Sequence, residues 1–119
     1  MQEETEYKCA VLVRKDLNMS KGKICAQTAH ATISMCVDCS EKEKFKRWRT
    51  QGEPVIVLYV SNKSAMDNIC SIAHRKKVYV HQVIDAGHTE VAPGTNTVSI
   101  LGPDSLTKIE KLTKQLKLV

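Results

Sequence analysis

The chain has 119 residues, enough for one domain with a hydrophobic core and too few for two. No apolar run approaches the roughly 20 residues of a membrane-spanning helix, and the acidic start MQEETEYK is unlike a basic leader. We therefore expect one cytoplasmic domain over residues 1–119, with residues 1–6 as a flexible tail and no membrane partner. The formal net charge of +5 favours an anionic partner, most commonly nucleic acid.

The cysteines indicate neither a metal site nor a redox site. The chain has five, an odd number scattered through apolar segments, as is typical of reduced core residues in an intracellular protein. Cys36 and Cys39 form a single C-x-x-C pair, whereas a structural zinc site needs two further ligands at close spacing. His74, His81 and His88 show no pairing pattern. We therefore expect no metal and no cofactor.

The chain opens with a strand and a long helix. Residues 9–13 form a continuous apolar run, the pattern of a strand that is covered on both faces. Residues 16–22 are a turn into the first helix, which is expected to end near Asp38. The strand therefore leads through a short turn directly into the helix.

A second, short helix is predicted after the first. Ser40, followed three residues later by Glu43, is a capping box. The helix is expected to direct Phe45 and Trp48 into the core. Its outer face is basic, and we interpret that face as solvated.

The following residues add two strands and one helix. Residues 55–60 are the most apolar run of the chain and predict a central strand. Ser64 with Asp67 is a second capping signature, which opens a helix. Residues 78–84 predict a third strand, which ends at Asp85.

The last part predicts one more strand and one more helix. Residues 97–101 form the fourth strand, and Gly102-Pro103-Asp104 is expected to open a helix with apolar residues at helical spacing. This order predicts an α/β fold with a largely parallel sheet and helices on both faces. The link between the last two strands is short, so that pair is expected to be antiparallel.

The first helix carries one polar stripe. Lys23, Gln27, His30 and Ser34 fall within about 60° of the helix circumference, and nearly all its other residues are apolar or small. A helix that is apolar nearly all round is expected to be buried. The apolar flanks are Ile24, Ala31 and Met35 on one side, and Ala26, Ala29, Ile33 and Val37 on the other. The stripe then either faces solvent or lines a cleft.

Lys23 follows the first strand and Asp85 follows the third. Ligands of open α/β sheets bind beyond the carboxyl ends of the strands. If the two strands run parallel, Lys23 and Asp85 therefore share one edge of the sheet. A surface ion pair is the alternative interpretation.

The helix N-terminus near Gly22 offers free N–H groups to an anion. No glycine-rich nucleotide-binding motif or serine nucleophile elbow is present in the sequence.

Two stretches resemble the signatures of the type 2 peptidyl-tRNA hydrolases of archaea and eukaryotes. The first is Arg14-x-Asp16-Leu17-x-Met19-x-x-Gly22-Lys23-x-x-Ala26-Gln27-x-x-His30-Ala31. The second is Asp85-Ala86-Gly87-x-Thr89-x-x-x-Pro93-Gly94-x-x-Thr97-Val98, followed by Gly102-Pro103. The resemblance runs from about Tyr7 to the last residue. It implies a three-layer α/β/α sandwich with a four-stranded mixed, mostly parallel sheet, and metal-free hydrolysis of the ester between a peptide and the 3′-terminal ribose of tRNA.

The resemblance also implies the site residues. Lys23 and Gln27 would stabilise the developing negative charge on the carbonyl oxygen. Asp85 would orient or deprotonate the water, or hold Lys23, and Thr89 would fix the carboxylate by a hydrogen bond. His30 and Thr97 are secondary catalytic candidates. Candidates for binding the tRNA backbone are Arg14, Lys15, Lys21, Lys76, Lys77 and His88, where family members often carry arginine or an apolar residue.

The alternative function is an RNA-binding or protein-interaction module that keeps this fold without turnover. The full set of polar site residues argues against it. The sequence leaves the oligomeric state open, and a homodimer is one alternative.

Overall fold

The computed structural model describes residues 4–86 and 90–119, which form five strands, four α-helices and a short 3-10 turn. The strands are β1 (Tyr7–Arg14), β2 (Val55–Val60), β3 (Val80–Ile84), β4 (Asn96–Ser105) and β5 (Lys117–Leu118). The helices are α1 (Lys21–Cys39), α2 (Glu43–Thr50), α3 (Lys63–Arg75) and α4 (Leu106–Thr113), and the 3-10 turn is Lys15–Leu17. None of these helices has the length and apolar character needed to cross a membrane.

The strands form one mixed sheet in the order β3-β4-β1-β2-β5. β1 and β2 are parallel, β4 is antiparallel to both β1 and β3, and β5 is antiparallel to β2. β1, β2 and β3 therefore point the same way, although β1–β2 is the one parallel pair of neighbours among the described strands. The α/β class and the antiparallel pairing of β3 with β4 are confirmed. The prediction of a mostly parallel sheet is wrong, because β4 inserts between β1 and β3 and runs antiparallel to both, and β5 is antiparallel to β2.

The sheet has five strands, so the prediction of four is wrong. The additional strand, β5, has two residues and pairs with Leu58 and Tyr59 of β2. Two residues are too few for a periodic sequence pattern, which is why the strand was not predicted.

At the other end of the chain, the carbonyls of Thr5 and Glu6 accept hydrogen bonds at 2.8 Å from the side chain of Gln51 and the backbone of Leu106.

β1 is buried on both faces, as its continuous apolar run predicts. Its alternate residues enter two hydrophobic clusters. The first contains Cys9, Val11 and Val13 together with Phe45 and Trp48, the core residues predicted for α2. The intervening residues of β1 enter the second cluster with side chains from α3 and α4.

α1 is buried along one stripe only, so the expectation of a helix buried nearly all round is wrong. The buried residues recur at three- to four-residue spacing and are Ile24, Gln27, Ala31, Met35 and Cys39. The apolar flank of Ala26, Ala29, Ile33 and Val37 is exposed, with Ile33 62% and Val37 72% accessible. Composition alone cannot reveal this, because it does not say how many neighbours a helix has.

Both predicted capping boxes are wrong. Ser40 ends α1, and α2 begins at Glu43 after Lys42, which makes no side-chain capping bond. α3 is capped by Asn62, two residues before Ser64; its side chain accepts a hydrogen bond at 2.9 Å from the backbone N–H three residues later. Serine followed by an acidic residue therefore marks the region of these helix starts but not the capping residue.

β4 continues past Leu101 through Gly102, so the prediction that Gly102 opens the last helix is wrong. α4 begins four residues later and is capped by the hydroxyl of Ser105. Gly102 has a φ of +95°, and a Cβ there would lie 2.7 Å from the carbonyl oxygen of Lys8 on β1. The close approach of β4 to β1 at this point therefore requires glycine.

Ser20 fastens the N-terminus of α1 to Glu90. Its hydroxyl accepts a hydrogen bond at 3.2 Å from the N–H of Lys23 and so caps the helix. Its backbone N–H and hydroxyl donate to the two carboxylate oxygens of Glu90 at 2.8 and 2.6 Å. The bonds from Ser20, with a smaller contribution from the charge of Lys23, hold the pKa of Glu90 below its usual range. The connection between β3 and β4 is thereby tied to the helix that carries Lys23.

Gly102→Ala is expected to lower the free energy of unfolding by more than about 1–2 kcal/mol, because the positive φ alone costs a residue with a Cβ that much and the contact with Lys8 adds to it. Gly22→Ala is the control, since a Cβ at Gly22 has open space around it and the position is helical. Urea unfolding measures both variants. Equal stability of Gly102→Ala and wild type would contradict the role given to Gly102.

Glu90→Gln is expected to lower the melting temperature most near neutral pH. Because the pKa of Glu90 is lowered in the folded state, its carboxylate stabilises the fold above the unfolded pKa and loses that effect as pH falls through the folded value. The difference from wild type should therefore shrink below about pH 4. Glu41→Gln, at an exposed position after α1, is the control. A difference that stays constant with pH would show that the charge of Glu90 is not responsible.

Candidate active site

A cleft of about 440 Å³ lies between α1 and the carboxyl end of β3. α1 contributes its whole polar stripe, and the other wall comes from β3 and the two residues after it. The lining residues are Lys23, Gln27, His30, Ser34, His81, Val83, Ile84, Asp85 and Ala86. Of the two interpretations that the sequence left open, the structure therefore supports the one in which the stripe lines a cleft.

Lys23 and Asp85 meet in this cleft as a buried ion pair. The Lys23 ammonium donates a hydrogen bond to Oδ2 of Asp85, and the two side chains are 11% and 6% exposed. They meet because β1 and β3 point the same way, which brings the first turn of α1 and the residue after β3 to one edge of the sheet. A pair this buried needs further hydrogen bonds to offset the loss of hydration.

Gln27 and Thr97 supply part of that support. The Gln27 amide nitrogen donates to Oγ1 of Thr97 at 2.7 Å and to Oδ2 of Asp85 at 3.3 Å. Gln27 is 4% exposed and Thr97 is fully buried on β4. Both amide hydrogens of Gln27 are therefore used within the protein, and the amide fixes the carboxylate relative to the sheet.

Further along α1, His30 is exposed and Ser34 is half-buried, and both line the cleft. His81, on β3, lines the same cleft and is not among the predicted site residues. The alternation of a strand could have found it, because His81, Val83 and Asp85 are two residues apart and share one face. Thr89 and His88, which the resemblance also selects, lie outside the described residues.

Arg14 makes contacts within the protein. Its Nε and Nη2 donate to the Asp16 carboxylate at 3.1 and 2.7 Å, and its Nη1 donates to the carbonyl of Asn96 at 3.3 Å. Its side chain is only 12% exposed. The bonds from Arg14 also lower the pKa of Asp16. Arg14 therefore fastens the end of β1 to the start of β4.

The candidate lysines lie at two opposite edges of the sheet. Lys15 and Lys21 follow β1 and are exposed at the edge that carries the cleft; the Lys15 ammonium lies 5.7 Å from the ring centre of Tyr59. Lys76 and Lys77 precede β3 and are exposed at its amino end. The whole of β3, about 17 Å, therefore separates Lys76 and Lys77 from Asp85.

The cysteines are unpaired thiols in the described part of the chain. Cys9, Cys39 and Cys70 are buried, as predicted for core residues, whereas Cys25 is exposed. Burial raises the pKa of Cys36 and of Cys39, which keeps both thiols protonated at neutral pH. Residues 4–86 and 90–119 contain no group of three or more His, Cys, Asp or Glu side chains placed to hold a metal ion.

Comparison of the sequence with known proteins matches the chain to a family. The family model described as peptidyl-tRNA hydrolase PTH2 matches residues 7–119. The peptidyl-tRNA hydrolase of Metallosphaera sedula is 37% identical over 116 residues, which cover 94% of this chain and 99% of the relative.

Two further relatives agree. The peptidyl-tRNA hydrolase of Staphylothermus marinus is 36% identical over the full length of both chains. The human protein named peptidyl-tRNA hydrolase 2, mitochondrial, is 38% identical over 95% of this chain and 64% of the relative. Because the family model matches residues 7–119 and these relatives are 36–38% identical over at least 94% of this chain, the chain belongs to the peptidyl-tRNA hydrolase PTH2 family.

Proposed function

We propose that this member of the family hydrolyses the ester between a peptide and the 3′-terminal ribose of tRNA, and so releases both for reuse. The observation that carries the proposal is the buried Lys23–Asp85 pair in the cleft. The relatives named peptidyl-tRNA hydrolase, at 36–39% identity over more than nine-tenths of the chain, support it.

Water attacks the ester carbonyl carbon, and negative charge develops on the carbonyl oxygen. Lys23 supplies a positive charge fixed in the cleft, which stabilises that oxygen in the transition state. Gln27 acts through Asp85, because both of its amide hydrogens are already used by Thr97 and Asp85. This differs from the sequence-based expectation, which gave Gln27 a direct share in stabilising the oxygen.

Asp85 orients the water, accepts its proton and returns it to the leaving ribose oxygen. The same carboxylate holds the Lys23 ammonium in place. We propose that His30 contacts the substrate from the exposed side of the cleft. Thr89, which the sequence signature selects, stays a predicted partner of the carboxylate. No metal takes part in this scheme, since Lys23 provides the positive charge.

The tRNA backbone binds to the exposed cations at the cleft edge, chiefly Lys15 and Lys21. We place the reaction in the cytoplasm, although the name of the human relative places that protein in mitochondria. A homodimer stays a prediction. We also infer an α/β/α sandwich with the sheet as its middle layer, which the two hydrophobic clusters on alternate residues of β1 support.

Turnover of N-acetyl-aminoacyl-tRNA tests the proposal. Release of free tRNA is expected and should not change when a chelator is added. Lys23→Ala and Asp85→Asn are each expected to lower kcat/KM by about 10²–10⁴-fold, the range for loss of a group that stabilises transition-state charge or transfers a proton. A non-catalytic module on the same fold would bind tRNA without releasing the amino acid.

The two variants also need a control for stability. Removing one partner of a buried ion pair costs about 3–5 kcal/mol, because the other charge is left unpaired. Asp104→Asn is the matched control, since Asp104 is 3% exposed and pairs with Lys44 at 2.9 Å, away from the cleft. It should lower the melting temperature and leave kcat/KM unchanged. If Asp85→Asn lost only stability, Asp85 would be a structural residue.

Binding of tRNA is expected to weaken steeply with salt. Lys15→Ala and Lys21→Ala should each reduce the slope of log K against log salt concentration by about one, because each removes one phosphate contact. Lys77→Ala makes the same change of charge at the far edge of the sheet and should leave the slope unchanged. A slope of log K against log salt concentration near zero for the wild-type protein would show that tRNA binding does not depend on phosphate contacts.

A further inference from the structure

β3 is an outermost strand of the sheet. β4 pairs with one of its sides, and no strand within residues 4–86 and 90–119 pairs with the other. Such an edge carries backbone N–H and C=O groups that can pair with a further strand. This edge ends at Asp85, where the proposed reaction takes place.

The backbone bonds identify which groups point outward. The carbonyl of Tyr79 accepts a hydrogen bond from the N–H of Gly102 on β4. The N–H of Asp85 donates one to the carbonyl of Thr95, the residue before β4, and both bonds are 2.9 Å long. In an antiparallel pair, the backbone N–H and C=O groups of alternate residues point toward the partner strand and away from it. The groups that point to the outer edge of β3 therefore belong to Val80, Gln82 and Ile84. Ile84 is also 58% exposed and lines the cleft.

The cleft follows β3 from His81 to Ala86. An extended chain covers that stretch, about 17 Å, with about five residues. Among the described residues, the β3 side of the cleft contains no lysine or arginine and carries the Asp85 carboxylate, so it is less suited to a phosphate backbone than the lysine-bearing side. The exposed cations, Lys15 and Lys21, lie instead where β1 leads into α1. The tRNA half of a peptidyl-tRNA therefore suits the lysine-bearing side of the cleft, and the peptide half suits the β3 side.

We propose that the outer edge of β3 binds the peptide half of the substrate as an added parallel strand; this rests on the proposed function. The esterified end of the peptide is its carboxyl end, which must lie at Lys23 and Asp85. The rest of the peptide then extends from Asp85 toward the amino end of β3. Both chains therefore have their carboxyl ends at Asp85, which makes the added strand parallel to β3. Main-chain hydrogen bonds of this kind do not depend on side chains, which suits a substrate whose peptide has no fixed sequence.

The first test compares peptide lengths on the wild-type protein. One substrate is tRNA carrying N-acetyl-alanine, and the other carries an N-acetylated pentapeptide of alanines. The pentapeptide is expected to raise kcat/KM about tenfold, through two or three additional main-chain hydrogen bonds. N-methylation of successive peptide residues should then alternate between a several-fold loss and no effect, because only every second residue faces β3.

The second test changes the protein. Gln82→Pro removes an outward N–H without touching the ladder to β4, and should bring the ratio of kcat/KM for the long and short substrates close to one. Gln82→Ala keeps the N–H and should retain the preference for the long substrate. If Gln82→Pro does not fold, the N-methyl series on the wild-type protein decides.

The outcomes separate the two proposals. Absence of turnover with either substrate overturns both the proposed function and the docking of the peptide. Equal kcat/KM for the two lengths, or N-methyl effects that do not alternate, overturns the docking and leaves the hydrolase intact. Alternation that persists in a folded Gln82→Pro variant places the peptide elsewhere and overturns the assignment to β3.

Discussion

The buried ion pair between Lys23 and Asp85 joins the first turn of α1 to the carboxyl end of β3. Two charges that are 11% and 6% exposed have lost most of their hydration, and their attraction offsets this loss only when the geometry is fixed. The direction of the strands provides that geometry, because β4 is antiparallel to both β1 and β3. The ends of β1 and β3 thereby come to a single edge of the sheet.

The helix and the sheet are held together around this pair by additional contacts. Ser20 binds Glu90 at the N-terminus of α1, and Gln27 binds Thr97 one turn beyond Lys23. α1 is therefore fixed to the β3–β4 connection and to β4 itself. A positive charge held in this way needs little reorganisation when negative charge develops beside it, which is the condition for electrostatic catalysis.

The sequence predicted the centre of the site better than its surroundings. Helical spacing placed Lys23 and Gln27 on one stripe, and the rule of strand ends placed Asp85 beside them. The partners of Arg14 could not be predicted, since Asn96 is 82 positions away and contributes a backbone carbonyl. For the same reason, a polar stripe gives no sign that both amide hydrogens of Gln27 are used within the protein.

The two edges of the sheet differ in their protection. β2 is the most apolar strand, and an uncovered edge of that kind can pair with strands of other molecules and seed aggregation. β5 covers it with only two residues, through Leu58 and Tyr59, and the N–H of Val119 adds a bond at 3.1 Å to Val57. A segment too short to be recognised as a strand thus occupies backbone groups of β2 that a strand of another molecule could otherwise pair with.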